Sequence, residues 1–175
     1  MNLYFRLVVL LVGLWRRPRL SMQEGGVRQF RVWPSDLDTV GHMNNAKYFG
    51  LMDLGRVDLM LRSGQHRETQ KRGWYPVIAA QTIRYRRSLK PFQKFDVRTS
   101  LLGTDERGLY FEQAFLVRGE LYAQAVVQCR FLRKSGGTVP AAVVLAAIGV
   151  DPSADLALPQ WVADWARGVR EPLAA

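Results

Sequence analysis

Residues 35–48, S-D-L-D-T-V-G-H-M-N-N-A-K-Y, place two carboxylates, a histidine and two adjacent asparagines in one short segment. The carboxylates of Asp36 and Asp38 and the imidazole of His42 are of the types that activate water by general-base action or attack an acyl carbon directly. Asn44 or Asn45 suits the N-cap of a helix, whose first turn presents N–H groups without intrahelical partners and the positive end of the helix dipole. Such a helix start holds an anion or a developing oxyanion. A base beside an oxyanion donor is what acyl transfer needs. On spacing alone the same residues also suit a purely structural use, the aspartates shaping a turn, His42 tying the loop and the asparagines capping the helix.

The elements that must position this loop can be read on either side of it. Val27 to Trp33 is a strand that ends at Pro34, which lacks the N–H a ladder needs. After the loop, Tyr48, Leu51, Met52, Gly55 and Leu59 fall on one helical face and Gly64 supplies a stop, predicting a helix about 28 Å long. Four alternating segments follow: Gln81 to Arg87, Phe95 to Leu101, Leu109 to Val117 and Leu121 to Phe131. Their short connections, Asp105-Glu106-Arg107-Gly108 among them, predict antiparallel pairing. One long helix and about five strands give an α+β fold in which the helix lies across one face of a curled sheet. Gly50 and Gly55 would let helix and sheet approach closely.

The chain has 175 residues, 48% of them hydrophobic and 23% charged, which excludes a disordered chain and predicts one folded domain. Its formal charge of +10 is concentrated. Residues 1–35 carry six arginines against Glu24, residues 82–98 carry six basic side chains against Asp96, and the remainder balances at 13 of each sign. Two patches of +5 do not demand a nucleic acid, and no nucleic-acid motif accompanies them. A single cysteine, Cys129, excludes an internal disulfide and falls on the apolar side of its strand, as a buried small hydrophobe would. With only two histidines, no zinc-type cluster is spelled out; His66, in Gln65-His66-Arg67-Glu68, reads as a solvated loop residue. No G-x-S-x-G motif points to a serine hydrolase.

At the N-terminus, Leu7 to Trp15 is apolar and flanked by Arg6, Arg16, Arg17 and Arg19. A spanning helix needs about 20 apolar residues, so the segment reads as an interfacial anchor, a packing element, a signal segment or a misassigned start. Residues 136–175 read as C-terminal packing decoration. The expected division is an extension over 1–26, a core domain over 27–135 and a second extension over 136–175.

The run D-L-D-x-x-x-H-M-N-N-A-x-Y resembles the signature of the hotdog-fold thioesterases, the superfamily of 4-hydroxybenzoyl-CoA thioesterase and the plant acyl-carrier-protein thioesterases. Together with R-Y-R-R-S-L-K-P-F it is most similar to the branch containing thioesterase superfamily member 6. The resemblance covers residues 27–133 and implies hydrolysis of acyl thioesters of coenzyme A or acyl carrier protein, in lipid metabolism, without a metal or other cofactor. Position by position it implies Asp38 as the catalytic carboxylate, Asp36 as a loop-shaping acceptor, the N–H near Asn45 as the oxyanion donor and His42 as the histidine of the plant enzymes. Those enzymes carry an asparagine where this chain has Val40, so Asp38 is carried over more firmly than a shared three-residue mechanism. Expected substrate contacts are Asn44, Tyr48, Arg84, Arg86 and Arg87, the arginines meeting phosphates or an acidic carrier. The resemblance further implies a homodimer or homotetramer in which sheets join. The protein is expected to be cytoplasmic, and the arginine-flanked apolar run leaves weak membrane association through residues 3–19 as an option. A second reading is a non-catalytic hotdog dimer that binds acyl chains or a membrane surface.

Overall fold

The computed structural model describes residues 3–151 and 153–170. Residues 1, 2, 152 and 171–175, parts of the two expected extensions, lie outside the described residues. Five antiparallel strands, β1 (Gly26–Arg31), β2 (Trp74–Tyr85), β3 (Lys94–Thr104), β4 (Leu109–Val117) and β5 (Glu120–Arg133), form a sheet in the order β1-β3-β4-β5-β2. A two-residue strand β6 (Thr138–Val139) pairs with β5 off that path. Across one face lies α2 (Asn45–Arg62), the long helix expected from the sequence.

Local chemistry sets the ends of α2. Asn44 is extended, and its Oδ1 accepts the Ala46 N–H at 2.8 Å, satisfying one of the orphan donors of the first turn. The helix stops at Ser63, and Gly64 follows at φ 78°, a conformation that costs a glycine little. Tyr48, Leu51, Met52 and Leu54 on the buried face meet Phe95, Val97, Phe115, Ala123, Ala125 and Val127 from the strands. Gly55 does what the sequence suggests, since a Cβ there would stand 2.9 Å from the Thr99 Oγ1 and 3.1 Å from the Gln113 Nε2. Gly50 does not. It faces Leu3 rather than the sheet, because a helix precedes the first strand: α1 (Leu3–Gly13), which packs on α2.

Other elements depart from the sequence reading for identifiable reasons. β2 begins at Trp74, well before Gln81, and ends at Tyr85 rather than Arg87. Its first half is exposed on both faces, so it lacks the alternation that marks a half-buried strand. His66 lies in a short helix α3 (Gln65–Lys71) rather than a loop; this polar helix is anchored by buried Gln65 and Thr69 instead of an apolar stripe. The C-terminal segment adds α4 (Ala141–Ala147) and α5 (Gln160–Gly168). Val162 and Ala166 of α5 cover Tyr110 and Val126. Those two alternate with Phe111 and Val127 of the α2 side, so α5 covers the opposite face of the sheet.

Candidate active site

The loop from Asp36 to Asn44 is built by its own polar groups. Asp38 is half-buried, and its Oδ1 accepts the N–H of Val40 at 2.9 Å and of His42 at 3.2 Å. The Asp38 N–H donates to the His42 carbonyl at 2.9 Å, and the Gly41 N–H to the Asp38 carbonyl at 3.1 Å. Gly41 turns at φ 80°. Val40, where the plant enzymes carry asparagine, contributes a backbone N–H to this turn while its side chain is 74% exposed. Both loop hydrogen bonds fall on Oδ1, so Oδ2 is not consumed in holding the turn. His42 enters the bonds given above through its backbone.

Asp36 sits apart, 2% exposed, as the anchor of the same loop. Its carboxylate accepts the Trp33 N–H at 2.9 Å and pairs with the guanidinium of Arg6 from α1. Its carbonyl accepts the Asn44 N–H at 2.8 Å, which fixes the capping residue of α2. The Asn45 N–H that follows is the first in the helix and has no intrahelical acceptor. The Asn45 side chain is exposed. Nothing in the 35–48 sequence signals Arg6, which lies 30 residues away from its partner.

The basic segment is brought beside this loop. The Met43 N–H donates to the carbonyl of Leu89, and the Tyr85 hydroxyl lies 3.4 Å from the Asn45 carbonyl. Arg84, Arg86 and Arg87 are exposed, and the N–H groups of Arg86 and Arg87 both reach the Tyr122 carbonyl, so the backbone there is held while the side chains stand free of the core. Arg87 pairs with Glu120 and lies 5.8 Å from the Tyr122 ring. Tyr48 is instead buried: its ring meets Tyr85 edge-on at 4.9 Å and Phe115 at 4.8 Å, and burial pushes its hydroxyl up to about 12. Arg56 and Gln113 form a second polar cluster that the sequence did not announce. Gln113 donates to the Met52 carbonyl and to Thr99, both at 2.9 Å, and accepts from Arg56. Arg56 borders an apolar cavity of about 210 Å³ between α2 and the sheet, which also reaches Phe111, Cys129 and Phe131. Among the described residues no cluster of His, Cys, Asp and Glu could hold a metal ion.

A long capped helix laid across a curled antiparallel sheet is an architecture shared with known proteins. The family model of the thioesterase-like superfamily matches residues 32–166. The chain belongs to that superfamily. This thioesterase-like chain is 39% identical to Protein THEM6 of Xenopus laevis over 99 residues, covering 57% of its own length and 48% of the relative's. It spans from about half to just under two thirds of the length of the curated relatives it matches. Among solved structures, the probable thioesterase YbaW of Escherichia coli superposes with a TM-score of 0.67 at 19% identity, over 71% of this chain and 96% of that one. BH1999 gentisyl-coenzyme A thioesterase superposes with a TM-score of 0.61 at 19% identity, over 69% and 99%. The fold is the hotdog fold that the sequence motif implied.

Proposed function

We propose that the chain hydrolyses acyl thioesters of coenzyme A, with Asp38 as the base or nucleophile and the Asn45 N–H as the oxyanion donor. The observation that carries this reading is the Asp38 turn. It holds a carboxylate through one oxygen, in the loop whose next residues cap α2 and present an N–H without an intrahelical acceptor. In the general-base form, Asp38 takes a proton from water as the oxygen attacks the thioester carbonyl, and the Asn45 N–H donates to the oxygen on which negative charge develops. The tetrahedral intermediate expels the thiolate, which recovers the proton from Asp38; acid and thiol leave. His42 backs the turn from its backbone, and its imidazole is available on the same loop. The exposed Arg84, Arg86 and Arg87 suit the phosphates of coenzyme A, whose thioester is what the gentisyl-coenzyme A thioesterase is named for.

We place the protein in a homodimer joined along β2. That strand lies at one end of the sheet order, and Tyr75, Ile78 and Tyr85 on it are each about 40% exposed. A long edge strand with apolar side chains is a template for pairing with a second copy. Sedimentation equilibrium returning a monomer at micromolar concentration would remove this part.

The test is a panel of acyl-CoA and acyl-carrier-protein thioesters run with wild type, Asp38→Asn and Asp38→Ala. Asparagine keeps an oxygen for the Val40 and His42 N–H groups but loses the basic carboxylate, so a folded Asp38→Asn protein should lose roughly 10²–10⁴ of kcat. Full turnover in Asp38→Asn would overturn the assignment. KM for acyl-CoA should rise with salt, and that rise should flatten in Arg86→Ala/Arg87→Ala. Acyl chains retained by wild type with no turnover on any thioester would favour the non-catalytic binding module.

A further inference from the structure

Apart from Arg6 the helix α1 is apolar on all sides, but only one face is packed on the domain. Leu10 is buried and Leu7 partly buried in the core that includes α2, and Arg6 is 5% exposed. On the other side Phe5, Val8, Val9, Leu11, Val12 and Trp15 are between 46% and 74% exposed. Eleven helical residues span about 16 Å, half the hydrocarbon thickness of a bilayer, and no described helix is long and apolar enough to cross one.

Beside this face lies a groove of about 740 Å³ lined by Trp15, Arg17, Arg19, Arg62, Arg67 and Lys71 among others. Glu68, the acidic side chain in its lining, already pairs with Lys71 and Arg72. Arg17 and Arg62 of this lining converge with Arg28 within 3.4 Å on the one carboxylate of Asp58, which leaves two positive charges over. Arg16 stacks on Trp15 with its guanidinium 4.5 Å from the ring. An apolar helix face ending in an exposed tryptophan and running into an arginine groove matches the layered chemistry of an interface, acyl tails beside anionic headgroups.

We propose that α1 and the adjoining arginine groove dock the protein on an anionic lipid bilayer, with α1 lying flat and its outer face among the upper acyl chains. The ion pairs of Arg6 and Arg17 to the domain make this mount rigid, so docking would set the orientation of the whole sheet against the bilayer. The proposal needs no turnover and stands apart from the hydrolytic reading.

The test is cosedimentation of the full chain with large vesicles of pure phosphatidylcholine and of phosphatidylcholine with 30% phosphatidylglycerol. Binding should be strong only to the anionic vesicles and fall as salt rises. Val8→Ser/Val12→Ser/Trp15→Ser, at exposed positions that leave the fold intact, should abolish it. Arg16→Gln/Arg19→Gln should weaken it at roughly fivefold per arginine, about 1 kcal/mol each near such a surface. Far-ultraviolet circular dichroism and the urea midpoint should match wild type in both variants. Absent binding, equal binding to both vesicles, or unchanged binding by both variants would overturn the proposal. So would self-association of wild type, without vesicle binding, that the serine variant removes, since the face would then belong to a second copy.

Discussion

Replacing Arg6 by alanine tests how far α1 controls the candidate active-site loop. The substitution leaves the Asp36 carboxylate, 2% exposed, with the Trp33 N–H as its remaining donor. Breaking one side of a buried ion pair costs about 3–5 kcal/mol, because the surviving charge stays desolvated. The Arg6 Nε is itself buried without a partner, so the native pair does not fully offset its own desolvation, and the lower end, about 3 kcal/mol, is expected. For a urea slope of about 2 kcal/mol per molar this moves the midpoint down by roughly 1.5 M, and the melting temperature down by roughly 6–12 °C. The second arm is Arg6→Met/Asp36→Asn, which removes both charges while keeping an acceptor for Trp33. It should be distinctly more stable than Arg6→Ala. Turnover should fall further than stability in Arg6→Ala at temperatures where the protein is folded, because the Asp36 carbonyl holds the Asn44 N–H and hence the start of α2. An Arg6→Ala protein within 0.5 kcal/mol of wild type, or a double variant no better than the single, would refute the coupling.

Two further outcomes follow from the packing around α2. Gly55→Ala should destabilise by up to about 2 kcal/mol: the Cβ would press on Thr99, Gln113 and Val97, an overpacking cost of about 1–3 kcal/mol against roughly 1 kcal/mol returned by helix propensity, and a urea titration reads the difference. Stability should also decline with rising alkalinity. Burial raises the Cys129 thiol from 9.0 to about 12, and burial raises the hydroxyls of Tyr48 and Tyr110 from 10.0 to about 12. Each is held neutral in the fold above its unfolded pKa, so the stabilisation is whole below about pH 9 and is lost as pH climbs through 9 to 12. Denaturant midpoints measured at pH 8, 10 and 11 check the slope, and Cys129→Ala should flatten part of it. Native Cys129 should resist iodoacetamide at pH 8.5 until the protein unfolds.

What the sequence disclosed and what it withheld divide along a physical line. The Asp36–Tyr48 run, the α2 stripe and the alternation in β3, β4 and β5 are local patterns, fixed by the periods of helix and strand, and a motif whose capping and turn bonds close within a few residues can be recognised without the rest of the chain. The first half of β2 has no such pattern because an edge strand exposed on both faces obeys no alternation. The +5 counted over residues 1–35 misled in a different way. Arg6 is spent inside on Asp36, while Arg17 and Arg28 converge on Asp58, so only part of that charge is surface. Charge counting assigns no partners, and pairs separated by 30 or 41 residues exist only once the fold has formed. The consequence for the site is specific. The Asp38 turn was legible because its partners are Val40 and His42, whereas the residue that ties the loop to α1, Arg6, lay in a segment set aside as an extension.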